Sequence, residues 1–232
     1  MTKGYIFDYG GTLDTGGCHW GRLIGHAYEQ CGVGIDNQLF REAYVYAERE
    51  LAKQPIIQPH YSFRQTLATK LQIELEYIHR CHPELHVKDK HEALLNTLYA
   101  TTQKETARSK RVLEQLKVNY PLVLVSNFYG NIHTVLREYG MDHLFDNVIE
   151  SAVVGVRKPD ARIFTLGVDA LALQPHEVVV VGDSYDKDIV AAKNAGCQTV
   201  WIKGEGWTDE EIDAQAADHV ITSIEQVIEL NC

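Results

Sequence analysis

Short apolar runs recur along the chain, and most of them end at a polar residue or a glycine. The runs lie at residues 5–7, 122–125, 148–149, 178–181, 199–202 and 220–221. Between the later runs, apolar residues recur at helical spacing, as in residues 132–139 and 163–173. Short strands that alternate with helices of about ten residues are typical of βαβ units. The pattern therefore predicts an α/β fold with a doubly wound, Rossmann-like parallel sheet.

The stretch from residue 16 to about residue 104 has a different pattern, because it lacks strand-like runs. We predict a first helix over residues 20–31, a second that begins at Asp36 and a third that begins at Ser62. A fourth apolar series begins near Leu94. Four helices of this length favour a small helical bundle rather than a layer of the sheet.

The polar stretch over residues 101–109 marks the expected return from the bundle to the sheet. A separate helix through Val112 is predicted to lead into the run at 122–125. The division of the chain follows from this pattern. We assign residues 1–16 and 105–232 to an α/β catalytic core, and residues 17–104 to a helical cap inserted after the first strand.

The composition narrows the classes of function. With 232 residues, 45% hydrophobic and 23% charged, the chain is typical of a globular protein. A net charge of −10 argues against binding to nucleic acid or to anionic membranes. The five cysteines include no CxxC pair, which favours reduced thiols in a cytoplasmic protein. Only three apolar residues lead into Asp8, so no signal-peptide core is predicted, and no apolar run in the sequence approaches the length of a membrane span.

Several apolar runs lead into side chains that can carry chemistry. Asp8, Ser126 and Asp183 each lie at the end of a predicted strand, and Asp188 follows shortly after Asp183. Because the carboxyl ends of parallel strands meet at one edge of a sheet, we expect these side chains to converge. Carboxylates crowded in this way repel by roughly 4 kcal/mol per pair at 4 Å and an effective dielectric constant near 20. Lys158 could supply one compensating charge, and oxygen ligands without His or Cys favour Mg²⁺.

Four segments resemble the motifs of the haloacid dehalogenase superfamily. They are Asp8-x-Gly10-Gly11-Thr12-Leu13, Ser126-Asn127, Lys158-Pro159-Asp160 and Gly182-Asp183-Ser184-x-x-x-Asp188. Their order, spacing and placement at predicted strand ends match the family pattern. The resemblance covers residues 1–16 and about 105–222, whereas the cap matches only in position and helicity. It implies a hydrolase, and most specifically a Mg²⁺-dependent phosphatase that acts on a small phosphorylated metabolite.

The resemblance implies a role for each residue that would meet the phosphoryl group. Asp8 would be the nucleophile that forms an aspartyl-phosphate. Lys158 would pair with Asp8 and with the phosphoryl oxygens as a compact charge. Ser126 would donate a hydrogen bond to a phosphoryl oxygen, and Asn127 and Gly11 would contact the substrate.

The same resemblance implies a Mg²⁺ site. Asp8, Asp183 and the backbone carbonyl of Gly10 would bind the ion, and Asp188 would bind it directly or through water. The ion would screen Asp8 from the approaching phosphate and would stabilise the transferring group.

Gly10 departs from the pattern of most phosphatases in the superfamily, which carry a general-acid aspartate at this position. Such catalysis is typically worth ~10²- to 10⁴-fold. A water, a cap residue or the substrate would replace the acid, which predicts a preference for anomeric, acyl or aryl phosphates over simple alkyl phosphates. The dehalogenase branch of the family also lacks this aspartate. That branch has no metal-binding carboxylate, however, whereas this chain has one in Asp183.

Two other functions stay open at this point. One is a carbon–phosphorus hydrolase that uses a cap lysine, Lys53 or Lys70, as a Schiff base. The other is a phosphate-binding or regulatory protein without catalysis.

Asp14 is either a polar hinge residue or a solvated carboxylate, and His19 either begins the first helix or faces the substrate. No motif identifies the substrate or the oligomeric state.

Overall fold

The computed structural model describes residues 1–53, 55–209 and 211–230. Within these ranges the strands are Gly4–Phe7 (β1), Leu122–Ser126 (β2), Asn147–Glu150 (β3), Val178–Gly182 (β4), Gln198–Ile202 (β5) and His219–Ile221 (β6). All pair in parallel, in the order β3-β2-β1-β4-β5-β6. The predicted α/β class with a doubly wound sheet is therefore confirmed.

The helices form two groups. The first group lies between β1 and β2 and consists of Trp20–Gln30 (α1), Asn37–Lys53 (α2), Phe63–Cys81 (α3) and His91–Lys117 (α4). The second alternates with the later strands and consists of Ile132–Glu138 (α5), Ser151–Val154 (α6), Arg162–Leu171 (α7) and Ala191–Asn194 (α8). A π-helical segment, Tyr185–Val190, leads into α8. None of the helices in the described ranges has the length and apolarity needed to cross a membrane.

The caps predicted for two helices are present. Asp36 accepts a hydrogen bond from the Leu39 amide at 2.8 Å, so its carboxylate caps the start of α2. Ser62 and Gln65 form a reciprocal capping box at the start of α3. The separate helix predicted after the polar stretch is wrong, since α4 runs without a break from His91 to Lys117.

The polar stretch within α4 is compatible with a helix because its hydroxyls bond to nearby carbonyls. Thr102 donates to the Tyr99 carbonyl at 2.9 Å, and Thr106 donates to the Thr102 carbonyl at 2.7 Å. Ser109 instead donates to the Leu13 carbonyl, which fixes α4 against the segment after β1. The proposed boundary between residues 104 and 105 therefore falls inside one helix. The division into core and cap stays a prediction.

The sheet is buried on both faces, which explains why its strands read as continuous apolar runs. Tyr5 and Phe7 point to the face covered by the α4 side of the molecule, while Ile6 points to the face that Phe164 of α7 covers. The strand β1 lies at the centre, with β2 and β4 as its neighbours. The chain order reverses between β1 and β4, and crevices for ligands form at such points beyond the carboxyl ends of the strands.

Candidate active site

Asp8 lies directly beyond β1, where it is almost fully buried. Its Oδ1 accepts a hydrogen bond from Lys158 Nζ at 2.5 Å. Its Oδ2 lies 2.9 Å from the hydroxyl of Thr12, which is also 3.0 Å from Asp183 Oδ1 and accepts the Asp183 amide at 3.0 Å. The hydroxyl has one proton to donate, so the two carboxylates share it. Thr12 therefore holds the two strand ends together at the reactive carboxylate.

Lys158 is buried between two carboxylates. Its ammonium group contacts Asp188 Oδ1 at 2.7 Å as well as Asp8, and it is 3% exposed, so the charge has little water around it. Burial alone acts to lower the pKa of Lys158, but the charges of Asp188 and Asp8 outweigh this effect and raise it. The lysine is therefore held as a cation beside Asp8.

Asp8, Asp183 and Asp188 form a cluster that could hold a metal ion, because one oxygen from each lies within 4.8 Å of the others. Burial, followed by the charges of Asp8 and Asp188, raises the pKa of Asp183 well above its usual value. Burial also raises the pKa of Asp188 to about 6, although the Lys158 charge acts in the opposite direction. One lysine therefore does not neutralise the cluster, and an oxygen-only donor set fits a divalent cation such as Mg²⁺.

Two glycines beside the cluster differ in the space around them. Gly11 has a φ of +100°, and a Cβ there would lie 2.3 Å from Asp183 Oδ2, so only glycine fits. A Cβ on Gly10 would meet no atom within 4 Å in the described parts of the chain. Gly10 lines the cavity next to Asp8. There is therefore space for a side chain at position 10, and crowding does not explain why an aspartate is absent there.

The structure places the remaining predicted residues as follows. Ser126 ends β2 and is 1% exposed, and its hydroxyl has no hydrogen-bond partner among the described residues. Asn127 lines the cavity, but both polar atoms of its side chain bond to the Lys158 backbone. Its Nδ2 donates to the Lys158 carbonyl at 3.1 Å, and its Oδ1 accepts the backbone N–H of Lys158 at 3.0 Å. The Gly11 amide donates to Asp14 at 2.7 Å. Ser126 thus offers an unused hydroxyl, whereas the polar groups of Asn127 and Gly11 serve the protein itself.

Asp14 is a buried anchor rather than a solvated carboxylate. It is 0% exposed and accepts hydrogen bonds from the Gly11 amide and, at 3.1 Å, from the Trp20 indole. Burial, and to a lesser extent the charge of Asp8, raises the pKa of Asp14 to about 7, although both hydrogen bonds act to lower it. Asp14 therefore connects the turn after β1 with the start of α1.

His19 begins the first helix as its N-cap, and its side chain also lines the cavity, so a contact with the substrate stays a prediction. Its Nδ1 accepts the Gly21 amide at 3.0 Å, which assigns the ring proton to Nε2. Burial, and then the charges of Lys187 and Lys70, lower the pKa of His19 to about 4. The ring is therefore neutral near pH 7.

A cavity of about 790 Å³ connects the carboxylate cluster with the helices inserted after β1. Its far wall contains Tyr44 and Glu48 of α2 and Lys70 of α3, together with Tyr129 from the loop after β2. Lys70 is buried and forms an ion pair with Glu48, and its Nζ lies 4.2 Å from the centre of the Tyr44 ring. Sequence reasoning missed this wall, since its residues come from three separate segments.

Residues 203–209, which we call the β5 strap, follow β5, line the cavity and contact α1 and α2. The Glu205 carbonyl accepts the His19 amide at 2.8 Å, and the Trp207 carbonyl accepts a hydrogen bond from Arg41 at 3.0 Å. The guanidinium of Arg41 also stacks 4.4 Å from the Trp207 ring centre. Trp207 packs against Tyr44 and lines the cavity. The strap therefore brings an aromatic side chain from the sheet domain to the wall formed by α2.

A family model described as haloacid dehalogenase-like hydrolase matches residues 2–196. The chain therefore belongs to the haloacid dehalogenase-like hydrolase family, which confirms the resemblance found in its motifs.

Two similar proteins are named as phosphatases. A glyceraldehyde 3-phosphate phosphatase from Pyrococcus furiosus is 36% identical over 91 residues, which are 39% of this chain and 38% of that protein. A phosphoserine phosphatase from Thermus thermophilus is 40% identical over 63 residues, which are 27% of this chain and 25% of that protein. The chain thus spans less than half the length of either relative.

Solved structures support the fold over nearly the whole chain. A dehalogenase structure has a TM-score of 0.65 at 20% identity, covering 98% of this chain and 96% of that chain. A phosphatase structure from Thermococcus onnurineus has a TM-score of 0.56 at 22% identity, covering 98% of this chain and 97% of that chain. Because both sequence identities are low, these similarities support the fold but say nothing about the reaction.

Proposed function

We propose that the protein is a Mg²⁺-dependent phosphohydrolase that acts on a small phosphorylated metabolite through an aspartyl-phosphate on Asp8. The observation that carries this proposal is the buried contact between Asp8 and Lys158 beside two further carboxylates. The names of the two phosphatase relatives agree with phosphate-ester chemistry.

The residues divide the work as follows. Asp8 attacks phosphorus with one carboxylate oxygen as the bond to the leaving oxygen breaks, and water then cleaves the acyl phosphate and restores Asp8. Lys158 keeps the nucleophile in place and pairs with the phosphoryl oxygens. Ser126 donates its unused hydroxyl to a phosphoryl oxygen.

Asp8, Asp183, Asp188 and the Gly10 carbonyl are the groups that would hold Mg²⁺. When bound, the ion supplies positive charge that stabilises the transferring phosphoryl group. The carboxylates of Asp183 and Asp188 favour such a cation because burial and mutual repulsion disfavour their ionisation without it.

The carbon–phosphorus alternative needs a neutral lysine amine at the cavity. Lys53 is exposed and pairs with Glu50 at 3.2 Å. Lys70 does line the cavity, and burial acts to lower its pKa, but the Glu48 charge outweighs burial and raises the pKa well above its usual value. A lysine held as a cation cannot form a Schiff base, so the phosphatase reaction is the one we favour.

The test is hydrolysis of an aryl phosphate by the wild type, by Asp8→Asn and by Asp186→Asn, each with Mg²⁺ and with EDTA. Asp186 is an exposed carboxylate close to the cluster and serves as the matched control. We expect activity only with Mg²⁺, a loss of at least about 10³-fold in Asp8→Asn, and little change in Asp186→Asn. A folded wild type that binds phosphate but releases none from any ester would support the regulatory alternative instead.

A further inference from the structure

We infer that the wall formed by Glu48, Tyr44 and Trp207 binds the hydroxyl groups and ring of a sugar, so that the substrates are aldose 1-phosphates. This inference rests on the proposed phosphohydrolase function and assigns the chemical class of its leaving group.

Glu48 supplies an acceptor that the protein itself leaves largely free. Its Oε1 bonds to Lys70 and, at 3.3 Å, to the Tyr129 hydroxyl. In the described parts of the chain, the one donor near Oε2 is the same Tyr129 hydroxyl at 3.5 Å. The side chain is 39% exposed, and it lines the cavity. A donor group on a ligand can therefore reach Oε2.

The charge of Glu48 favours ligand groups that donate hydrogen bonds. Burial acts to raise the pKa of Glu48, but the charge and hydrogen bond of Lys70 outweigh it and lower the pKa. Glu48 is therefore an ionised acceptor, and Lys70 is already neutralised by it. A ligand that offers O–H donors gains charge-assisted hydrogen bonds to Glu48 here.

Aromatic rings lie beside this acceptor. The Tyr44 and Trp207 ring centres are 5.0 Å apart with 33° between their planes, and both rings line the cavity. The neutral His19 ring is 5.2 Å from Trp207 and carries its remaining proton on Nε2. Aromatic side chains next to a few oriented polar groups are the usual make-up of a small-molecule site. They fit a ligand that combines C–H groups with hydroxyl groups.

The open position at Gly10 restricts where the phosphate is attached. No side chain there can protonate the leaving oxygen, so the leaving group must depart without that help. The anomeric hydroxyl of a sugar is more acidic than a simple alcohol, because the ring oxygen withdraws electrons from the same carbon. In the reaction, the bond from the anomeric oxygen to phosphorus breaks as Asp8 bonds to phosphorus. The oxygen then takes a proton from water, and a second water releases inorganic phosphate from Asp8.

The first experiment compares substrates with the wild-type protein and Mg²⁺. The panel holds the 1-phosphates of D-glucose, D-galactose and D-mannose, D-glucose 6-phosphate, and acetyl phosphate, which has a good leaving group and no hydroxyls. We expect kcat/KM for at least one 1-phosphate to exceed that for the 6-phosphate by more than about 10-fold. Hydrolysis of acetyl phosphate with no such preference would overturn the sugar site alone. No hydrolysis of any compound would overturn the proposed function as well.

The second experiment compares Glu48→Gln with Glu50→Gln, a matched change on the same helix at a residue that bonds to Lys53. Loss of one hydrogen bond to a charged group predicts a fall of about 10- to 100-fold in kcat/KM for the preferred 1-phosphate. We expect this fall mainly in KM and to a smaller extent with acetyl phosphate, whereas Glu50→Gln should change either rate by less than about 3-fold. An equal loss on both substrates would contradict a sugar site at Glu48.

A third measurement needs no variant. The free aldose of the preferred 1-phosphate should inhibit acetyl phosphate hydrolysis competitively at millimolar concentration in the wild type. A 6-deoxy or 2-deoxy analogue should inhibit less if its missing hydroxyl is the one that meets Glu48. Absence of inhibition by the free sugar would argue that the wall does not bind hydroxyls.

Discussion

Replacing Asp183 with asparagine should change thermal stability in opposite directions with and without Mg²⁺. Without the ion, the change removes one charge from a cluster of three carboxylates. With the ion, it removes a ligand. The Thr12 hydroxyl keeps an acceptor, because asparagine retains the oxygen that lies 3.0 Å from it.

The structure sets the size of the effect without metal. Oxygens of Asp8, Asp183 and Asp188 lie within 4.8 Å of one another. At that distance two full charges would repel by about 3.5 kcal/mol at an effective dielectric constant near 20. Protonation of Asp183, whose pKa is raised by burial and by its neighbours, relieves part of this repulsion. Because Lys158 offsets part of the charge on Asp8 and Asp188, we expect a gain of about 1–3 kcal/mol in the free energy of unfolding. An unfolding entropy of about 0.5 kcal/mol/K follows from 232 residues, so Tm should rise by about 2–6 °C.

Mg²⁺ should reverse the order of the two proteins. At a concentration 1,000 times its Kd, an ion that binds only the folded state stabilises it by about 4.1 kcal/mol. For a chain of this length that is a rise of about 8 °C in wild-type Tm, which exceeds the gain expected for the variant without metal. Asp183→Asn should show little or none of this rise.

Differential scanning fluorimetry in EDTA and over a Mg²⁺ titration measures both effects. Asp186→Asn is the control, because it removes an exposed charge three residues away and should leave the Mg²⁺ response unchanged. A fall in the metal-free Tm of Asp183→Asn, or an undiminished Mg²⁺ shift, would refute the assigned cluster.

Three further changes test other parts of the site and the helical wall. Gly10→Asp should raise the turnover of alkyl phosphates by about 10-fold or more and that of aryl phosphates by less, because it restores a general acid where a side chain fits. An unchanged dependence of the rate on the leaving group would count against this view. Gly11→Ala should lower the free energy of unfolding by at least about 2 kcal/mol, since its Cβ would overlap Asp183, whereas Gly10→Ala should be nearly neutral in the same denaturant titration. Burial raises the pKa of Glu74 from 4.5 to about 7, so this carboxyl should lower stability by about 3 kcal/mol as the pH rises between these values, with no further effect above them. Glu74→Gln, which keeps an acceptor for the Tyr28 hydroxyl, should make the decline of stability with pH smaller by about this amount. Parallel pH profiles of the two proteins would contradict this assignment.

The strand ends were predictable from the sequence because local pattern and chemistry coincide there. An apolar run that leads into Asp8 or Asp183 indicates both the strand and the edge at which its carboxylate lies. The parallel sheet then brings these residues together without further information. Thr12 was missed as a link between them, since a threonine in a turn carries no local sign of a distant partner.

The far wall of the cavity could not be predicted in the same way. Glu48 and Lys70 lie on different helices, and their pairing depends on how α2 packs against α3. Trp207 reaches the wall from the β5 strap, far away in sequence. Glu150 ends β3, and its buried carboxylate accepts the Gly130 amide at 2.6 Å and so orders the loop before α5. Such contacts depend on tertiary packing and leave no periodic signal in the chain.

The unbroken α4 helix has a consequence for how molecules enter and leave the cavity. Its 27 residues form a rod about 40 Å long that joins the inserted helices to the sheet domain. One of the two connections between the inserted helices and the sheet is thus a rigid helix. The inserted helices therefore do not move about two flexible linkers. We expect opening to act as a lever movement about α4, with release of the β5 strap from α1 and α2 as the gating step. Turnover of bulky substrates should therefore respond to changes at Trp207 far more than to changes in the linker before α1.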